Sequence, residues 1–435
     1  MRKELKAVKA EELEDVKVKK GGNPADILEE RRQTVIYSDG SSKSFRIVWD
    51  LTGVDTEKPG TYEVEGEVLF PEYGDILTEQ RADPYVLKED GNYYFTASYP
   101  VCGMTEKERK VGYDRIILRR ADSLAGLAKA KEETIWNQKD SKRLHRYVWA
   151  PELHKIGGSY YILFTASVEE DNVWGIRPHM LKCVGEDLMN PASWRTSDES
   201  NLYRLEGMEG DSFSFTDFSL DLTYFTSAGR HYLAWAQKEG RFSNIYLGEV
   251  KEKEPWKLIS PAILLTSPEY EWETNEEVYV NEGPILLKHN GKLFLAFSAS
   301  AVDYTYCIGF LEADENADLL ADGAWKKYEY PFLTSADLPG QCGPGHNSFT
   351  TDENRNVVLV YHARPQDCSN GQDANGSYGS CEYVEPGTEA LCDPCRHARA
   401  KSIQFAADGL PVLHLLPEEE LPVQYRKVRI KLTVI

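Results

Sequence analysis

Long apolar runs are missing from this sequence of 435 residues, and so is any excess of positive charge. No run approaches the roughly 18 apolar residues that a membrane-spanning helix needs, so we expect no membrane partner. The chain has 50 Lys and Arg against 71 Asp and Glu, which gives a formal net charge of −21. A nucleic-acid-binding surface requires a basic stripe, so this balance argues against nucleic acid and is compatible with a neutral substrate.

The first residues, MRKELKAVKAEELEDV, lack the apolar core of a signal peptide. That absence favours a cytoplasmic protein or a chain cut from a longer secreted one.

Cysteine is sparse along most of the chain, but four of the eight cysteines fall within one loop-like segment: Cys368, Cys381, Cys392 and Cys395. Four thiolates can bind one Zn²⁺, and four cysteines can also form two disulfides. Loop thiols without a metal are the third alternative. The spacing leaves all three open.

What the sequence does contain is a pattern repeated five times. Each copy has a polar residue at its head, a Gly or Asn turn and then an apolar strand; the heads are Asp83, Glu152, Asp221, Glu282 and His346. Successive heads are 69, 69, 61 and 64 residues apart. Short strands with turn signals at such a period are typical of β-propeller blades. The pattern predicts an all-β protein with a five-bladed β-propeller over residues 74–415.

The five heads are expected to converge near the propeller axis, because equivalent positions on the innermost strands form a ring. Crowded carboxyl groups shift one another's pKa values, and such shifts are typical of acid–base catalysis. We therefore predict a catalytic site at this ring.

The two ends of the chain follow different patterns. Residues 1–16 form a tail, and residues 17–70 include QTVIYSDGSSKSFRIVWD, which predicts a β-hairpin. The final segment, residues 416–435, ends in RKVRIKLTVI, whose alternation predicts a half-buried strand. The partner of that strand stays open between the N-terminal sheet and the propeller.

Six motifs occur in order between about residues 75 and 412: RADPYV, YDRIILRRA, VWAPELH, FSLD, VNEGP and GPGHNSF. In this combination the chain resembles glycoside hydrolase family 43, and it is most similar to the α-L-arabinofuranosidase branch. Residues 17–70 resemble a bacterial immunoglobulin-like β-sandwich module of the kind found beside secreted carbohydrate enzymes. That module favours an extracellular protein, whereas the first residues favour an intracellular one.

The resemblance implies an inverting glycosidase that releases L-arabinofuranose from α-linked arabinan or arabinose-substituted polysaccharides. It assigns Asp83 as the general base that activates water and Glu282 as the general acid that protonates the leaving oxygen. Asp221 is implied to orient the acid, and an ionised Asp221 is expected to raise the pKa of Glu282.

The resemblance also implies supporting residues. Glu152 organises the substrate site without taking part in proton transfer or has a structural role, and Arg364 hydrogen-bonds either the substrate or an acid. Trp149 stacks on sugar or belongs to the core. His346 holds Ca²⁺ or water on the axis, or is a hydrogen-bonded histidine without a metal. No cofactor is expected to be required.

Several alternatives stay open within this interpretation. A β-xylosidase or an endo-arabinanase of the same family fits the same motifs. A non-catalytic carbohydrate-binding propeller would lack one of the three carboxyl groups, and all three are present. The cysteine-rich insertion of about thirty residues in the fifth blade puts the fine specificity in doubt. The expected partner is a plant cell-wall oligo- or polysaccharide, and the expected state is a monomer.

Overall fold

The computed structural model describes residues 2–100, 112–170, 172–275, 277–366 and 395–435. Its contacts divide the chain into two units: Met1–Glu72 together with Ser402–Ile435, and Tyr73–Lys401. Within the described ranges the α-helices are single turns, α1 (Ala25–Leu28) and α2 (Pro417–Glu420). The all-β prediction is therefore confirmed.

The first unit contains strands from both ends of the chain. They are β1 (Ala7–Ala10), β2 (Val16–Val18), β3 (Arg32–Tyr37), β4 (Ser42–Asp50), β5 (Gly60–Leu69), the short pair β27 (Gln404–Phe405) and β28 (Pro411–Val412), and β29 (Lys427–Val434). Six of them form one sheet in the order β1-β3-β4-β5-β29-β2. The open partner of the C-terminal strand is thus the N-terminal sheet, where β29 lies antiparallel to β5 and parallel to β2.

Alternating side chains give this sheet its buried face. In β29, Ile430, Leu432 and Val434 are buried and pack in one cluster with residues of β2 and β5. Successive side chains of a strand point to opposite faces, so the charged residues between them face the other way. The strand β1 and the first residue of β2 lie within residues 1–16, and the C-terminal part of this unit begins at Ser402.

The second unit consists of five antiparallel groups of strands. The first group contains β6 (Ala82–Glu89), β7 (Asn92–Ser98), β8 (Arg115–Ala121) and β9 (Glu132–Asn137), and the second contains β10 (Trp149–Ile156), β11 (Ser159–Ser167), β12 (Ile176–Lys182) and β13 (Leu202–Arg204). The third contains β14 (Ser219–Ser227), β15 (Arg230–Glu239), β16 (Phe242–Lys251), β17 (Glu254–Leu258) and β18 (Ile263–Thr266), and the fourth contains β19 (Thr274–Asn275), β20 (Val278–His289), β21 (Lys292–Ala299), β22 (Cys307–Asp314) and β23 (Lys326–Lys327). The fifth contains β24 (Gln341–Thr351), β25 (Val357–Pro365) and β26 (His397–Ser402). A short parallel pairing of β16 with β20 joins the third and fourth groups.

Short 3₁₀-helices interrupt the connections between strands. They span Ala125–Lys129, Gln138–Asp140, Val173–Gly175, Pro191–Trp194, Glu271–Glu273, Ser335–Asp337 and Val423–Tyr425.

The first long strand of each group contacts the corresponding strand of the next group. The contacts run from β6 to β10, β14, β20 and β24, and β24 contacts β6 again. The five groups therefore follow one another in a closed cycle.

Apolar side chains fill the spaces between neighbouring groups. One cluster joins Ile116 and Leu118 of β8 to Phe164 of β11, and another joins Phe95 of β7 to Val360 of β25. Burying one such side chain completely contributes roughly 1.5–3 kcal/mol. The core is thus distributed over the interfaces between groups, and this leaves the centre of the cycle available for polar residues.

Each first strand carries a β-bulge near its start, because the pairing register shifts there in all five groups. At each bulge one residue has a left-handed backbone; the five are Asp83 (φ 53°), Ala150 (φ 44°), Asp221 (φ 53°), Gly283 (φ 56°) and His346 (φ 40°). Bulges redirect side chains and are common beside active sites. Three of the five residues precede a proline, which cannot donate to the ladder and is therefore tolerated at a bulge.

This equivalence corrects the alignment of two repeats. Ala150 and Gly283, rather than Glu152 and Glu282, occupy the positions equivalent to Asp83 and Asp221. Glu282 lies one residue before its bulge, and Glu152 lies two residues after. The shared residue–proline step of ADP, WAP and EGP was the sequence signal for this alignment.

Candidate active site

A cavity of about 400 Å³ opens where the bulges of several groups meet. Its polar lining consists of Asp83, Asp221, Glu282, Tyr306, His346 and Arg396. Its other lining residues are Tyr113, Trp149, Val173, Trp174, Phe218, Leu220, Val278, Ala301 and Val302. The structure therefore brings the three predicted catalytic carboxyl groups and the predicted axial histidine into one cavity.

The bulge of the fourth group links Asp221 to the strand that carries Glu282. The backbone N–H of Gly283 donates a hydrogen bond to Asp221 Oδ2 at 3.0 Å. This N–H is available because the register shift of β20 falls between Glu282 and Ile285. The bond holds Asp221 beside the residue that follows Glu282.

Asp83 is surrounded by nitrogen atoms. Its Oδ1 lies 3.4 Å from His346 Nδ1, 3.3 Å from His362 Nδ1 and 3.5 Å from an Arg396 guanidinium nitrogen. Burial opposes ionisation of this carboxyl, but the charge of His346, the contact with His362 and the charge of Arg396 outweigh it and hold the pKa of Asp83 well below its usual range. Asp83 is therefore ionised at neutral pH, as a general base must be.

The pKa values of Asp221 and Glu282 are shifted in the opposite direction, upward. Burial raises the pKa of Asp221 to about 8, and the nearby Glu282 and Asp83 raise it too, although His346 acts against them. Burial also raises the pKa of Glu282, although Tyr306 and His346 oppose it. The two carboxyl groups titrate together and keep at least one proton between them at neutral pH. The role of an ionised Asp221 in raising the pKa of Glu282 stays a prediction.

His346 lies between two of these groups, with Nδ1 3.4 Å from Asp83 Oδ1 and 3.8 Å from Asp221 Oδ2. Burial disfavours the charged imidazole, but the carboxyl groups of Asp221, Asp83 and Glu282 raise its pKa above the ordinary value. Ca²⁺ prefers six or more oxygen ligands. Among the described residues, no group of three or more His, Cys, Asp or Glu is arranged to hold a metal ion. The calcium and water alternatives for His346 stay predictions.

The predicted substrate-binding residues differ in position. Trp149 lines the cavity, with Tyr113 and Tyr147 against it edge to face at 5.7 and 5.8 Å. Arg364 is completely buried and donates to the carbonyl oxygen of Val302 at 2.9 Å. Arg364 is not among the described residues that line the cavity, and its contact with substrate stays a prediction.

Glu152 is likewise buried, and its Oε2 lies 2.6 Å from His154 Nε2. The described lining of the cavity does not include it. Its charge is the smallest of the named causes that raise the pKa of His346, and its contact with substrate stays a prediction.

Three of the four clustered cysteines, Cys368, Cys381 and Cys392, lie outside the described residues, so the zinc and disulfide alternatives stay predictions. Cys395 is described and is completely buried.

The sequence analysis missed several residues of this site. Tyr306 donates to Glu282 Oε1 at 2.6 Å, His362 and Arg396 contact Asp83, and Trp174 is a cavity residue that is 57% exposed. His362 stands in YHAR and Arg396 in RHAR, two similar strings on neighbouring strands that offered a signal. Nothing in the sequence singled out Tyr306.

In the described part of the chain, no helix is long and apolar enough to cross a membrane.

Comparison with known proteins gives the same division of the chain. Residues 75–411 match the model of the glycosyl hydrolases family 43, and residues 32–69 match that of the bacterial Ig-like domain, group 4. An extracellular exo-α-(1→5)-L-arabinofuranosidase of Streptomyces chartreusis is 42% identical over 67% of this chain and 82% of that protein. α-L-Arabinofuranosidase B of Pyricularia oryzae is 36% identical over 81% of this chain, and this chain spans 65% of that protein's length.

Solved structures agree. The crystal structure of an α-L-arabinofuranosidase from Lactobacillus brevis has a TM-score of 0.63 and 36% identity, and the match covers 78% of this chain and 97% of that one. A thermostable family-43 glycoside hydrolase shares the fold at a TM-score of 0.55 and 20% identity, over 78% of this chain and 93% of that one. The family match includes the three carboxyl groups of the cavity and covers most of the sequence, so this chain belongs to glycosyl hydrolase family 43.

Proposed function

We propose that this chain is an inverting glycoside hydrolase that releases L-arabinofuranose from α-linked arabinan or from arabinose-substituted polysaccharides. The observation that supports it most directly is that the pKa values of two carboxyl groups in one cavity are shifted in opposite directions. The pKa of Asp83 is lowered, whereas the pKa of Glu282 is raised. Inverting hydrolysis needs such an ionised base together with a protonated acid.

The reaction is a single displacement. Asp83 accepts a proton from water while the water oxygen bonds to the anomeric carbon. The glycosidic C–O bond breaks with its electron pair going to the leaving oxygen, which takes the proton of Glu282. Asp221 keeps the acid protonated, because the two carboxyl groups share protons and the N–H of Gly283, next to Glu282, donates a hydrogen bond to Asp221. Solvent then returns Asp83 and Glu282 to their starting states.

The same proposal covers the architecture. The five groups of strands are the blades of a five-bladed β-propeller over residues 74–415, and residues 17–70 belong to an immunoglobulin-like β-sandwich module. Support comes from the closed cycle of contacts among β6, β10, β14, β20 and β24, and from the match of residues 32–69 to a bacterial Ig-like domain.

The preference for arabinofuranosides is supported by the relatives, two of which are named as α-L-arabinofuranosidases and two as extracellular exo-α-(1→5)-L-arabinofuranosidases. These names also support action outside the cell on plant cell-wall polysaccharide. In the cavity, Trp174 lies 5.2 Å from Phe218 and remains more than half exposed. An exposed aromatic face at a cavity suits the apolar face of a sugar ring.

A substrate panel tests the activity: 4-nitrophenyl α-L-arabinofuranoside, 4-nitrophenyl β-D-xyloside and linear 1,5-arabinan. We expect cleavage of the arabinofuranoside and release of single arabinose units from arabinan. Proton NMR should detect β-L-arabinofuranose first, before mutarotation. Preference for the xyloside, or internal cleavage of arabinan, would favour the β-xylosidase or endo-arabinanase alternative. Formation of the α-anomer first would make Asp83 a nucleophile.

Substitution of the carboxyl groups tests their roles. Asp83→Asn and Glu282→Gln should each lower kcat on arabinan by about 10²–10⁴-fold, the usual contribution of a general acid or base. Glu282→Gln should lose less on the aryl arabinofuranoside, because nitrophenolate leaves with little protonation. The matched control is Glu254→Gln, an exposed carboxyl on β17, which should leave both rates unchanged. Near-normal rates in either cavity variant would contradict the assignment.

A further inference from the structure

Tyr306 is held against the carboxyl group that we propose as the general acid. Its hydroxyl donates to Glu282 Oε1 at 2.6 Å, and its side chain is 1% exposed. The residue lies just before β22 and lines the cavity. A hydrogen bond of this length to a carboxyl oxygen fixes the orientation of that carboxyl group.

The ring of Tyr306 packs against neighbouring residues on two sides. On one side is Gly345, where an added Cβ would lie 2.2 Å from the ring. A side chain at position 345 is therefore incompatible with the ring in its present place. His362 lies stacked against Tyr306 at 5.6 Å with an interplanar angle of 8°.

His362 in turn contacts Asp83. It accepts a hydrogen bond from the Asp83 backbone N–H at 3.2 Å, and its Nδ1 lies 3.3 Å from Asp83 Oδ1. The stacked rings of Tyr306 and His362 thus form a bridge between the carboxyl group of Glu282 and that of Asp83.

We infer that Tyr306 is a positioning residue that determines which oxygen of Glu282 delivers the proton. This inference rests on the proposed role of Glu282. The hydroxyl occupies Oε1 as a donor, so the transferable proton is on Oε2. When that proton leaves, the same hydroxyl stabilises the new carboxylate.

The effect on protonation has a definite sign. The hydrogen bond from Tyr306 favours the ionised form of Glu282 and works against the burial that raises its pKa. Loss of the hydroxyl should therefore raise the pKa of Glu282 further. The alkaline limb of the kcat/KM profile, where the acid loses its proton, should then move to higher pH.

The test is Tyr306→Phe, which keeps the packed ring and removes the hydroxyl. On arabinan we expect kcat to fall about 10- to 100-fold, the loss typical of a hydrogen bond to a charged group, and the alkaline limb to move to higher pH. The loss should be smaller with the 4-nitrophenyl substrate. The matched control is Tyr361→Phe, which removes the hydroxyl of another buried tyrosine, bonded to Gln341 Oε1 at 2.9 Å. That variant should keep the wild-type pH profile.

A second replacement keeps the inference testable if Tyr306→Phe fails to fold. Incorporation of 3-fluorotyrosine at position 306 retains the hydroxyl and makes it a stronger donor, so the alkaline limb should move to lower pH. If the alkaline limb of the kcat/KM profile does not move in the variants that fold, the role of Tyr306 is overturned while the proposed function stays intact. Full activity of Glu282→Gln on arabinan would instead overturn the proposed function itself.

Discussion

At the scale of single residues, positive charge is concentrated on one side of the cavity. His346 and Arg396 lie 3.4 and 3.5 Å from Asp83 Oδ1, whereas His346 is 3.8 Å from Asp221 Oδ2. Asp221 accepts a neutral backbone N–H, and Glu282 accepts a neutral hydroxyl. Charged partners stabilise a carboxylate more strongly than neutral partners do. The difference in partners thus contributes to the lowered pKa of Asp83 and to the raised pKa values of Asp221 and Glu282 within one cavity.

The pH dependence of activity follows from these environments. Because the pKa of Asp83 is lowered, kcat/KM should stay high on the acid side as long as the fold persists. Because the pKa of Asp221 is raised to about 8 and that of Glu282 is also raised, activity should fall on the alkaline side as the pair loses its protons. Asp221→Asn removes a negative neighbour, so Glu282 should lose its proton at lower pH and the alkaline limb should move down.

The measurement is kcat/KM on 4-nitrophenyl α-L-arabinofuranoside across pH. Asp322→Asn, in an exposed turn, serves as the control and should reproduce the wild-type limbs. If the alkaline limb of Asp221→Asn moves to higher pH or stays in place, Asp221 and Glu282 do not share protons as proposed.

At the scale of elements, the five bulges determine where the site forms. Each bulge turns the backbone into the left-handed region at one residue, and three of these residues, Asp83, Asp221 and His346, carry side chains of the cavity. An L-residue in this region costs roughly 1–2 kcal/mol, so the fold accepts strain at these positions. Gly283 avoids that strain, and its missing side chain leaves space for His346.

Substitution of Gly283 distinguishes the cost of backbone strain at this position from the cost of a contact with His346. In Gly283→Ala the new Cβ would lie 3.3 Å from the His346 ring, at φ +56°. In Gly291→Ala, in the turn of the same hairpin, φ is +78° and nothing lies within 4 Å of the new Cβ. Both variants should lose about 1 kcal/mol of unfolding free energy, but only Gly283→Ala should also lose activity. Urea unfolding and kcat/KM measure the two effects, and equal activities would show that the bulge does not need glycine for His346.

At the scale of the whole molecule, the first unit is assembled from both ends of the chain. The strand β29 lies between β5 and β2 in the six-stranded sheet, so it pairs on both edges. Leu432 on this strand is completely buried, in one cluster with Val16, Val18 and Val64. The first unit therefore depends on the last ten residues of the sequence.

Leu432→Ala tests this dependence. Truncation of a buried leucine costs about 2–5 kcal/mol, so amide hydrogens of β2, β5 and β29 should exchange faster. Lys431→Ala, at the neighbouring exposed position, should leave exchange unchanged. Undiminished protection of β5 in Leu432→Ala would mean that β29 contributes little to the sheet.

Sequence alone determined the features that are encoded locally. The repeated turn-and-strand pattern indicated five similar units, and the order of short motifs pointed to the family and to Asp83, Asp221 and Glu282. These features could be predicted because alternation, turn residues and motifs each depend on neighbours along the chain.

The tertiary structure alone decided how distant residues combine. Tyr306 meets Glu282 across 24 residues, His362 meets the Asp83 backbone across 279, and β29 joins β5 from the opposite end of the chain. The strand pairing also identified Ala150 and Gly283 as the equivalents of the repeat heads, although the residue–proline step had offered a signal in the sequence. A bulge is defined by the register between two strands, and a pKa is set by the charges and burial that folding brings together, so neither property can be assigned from a single stretch of sequence.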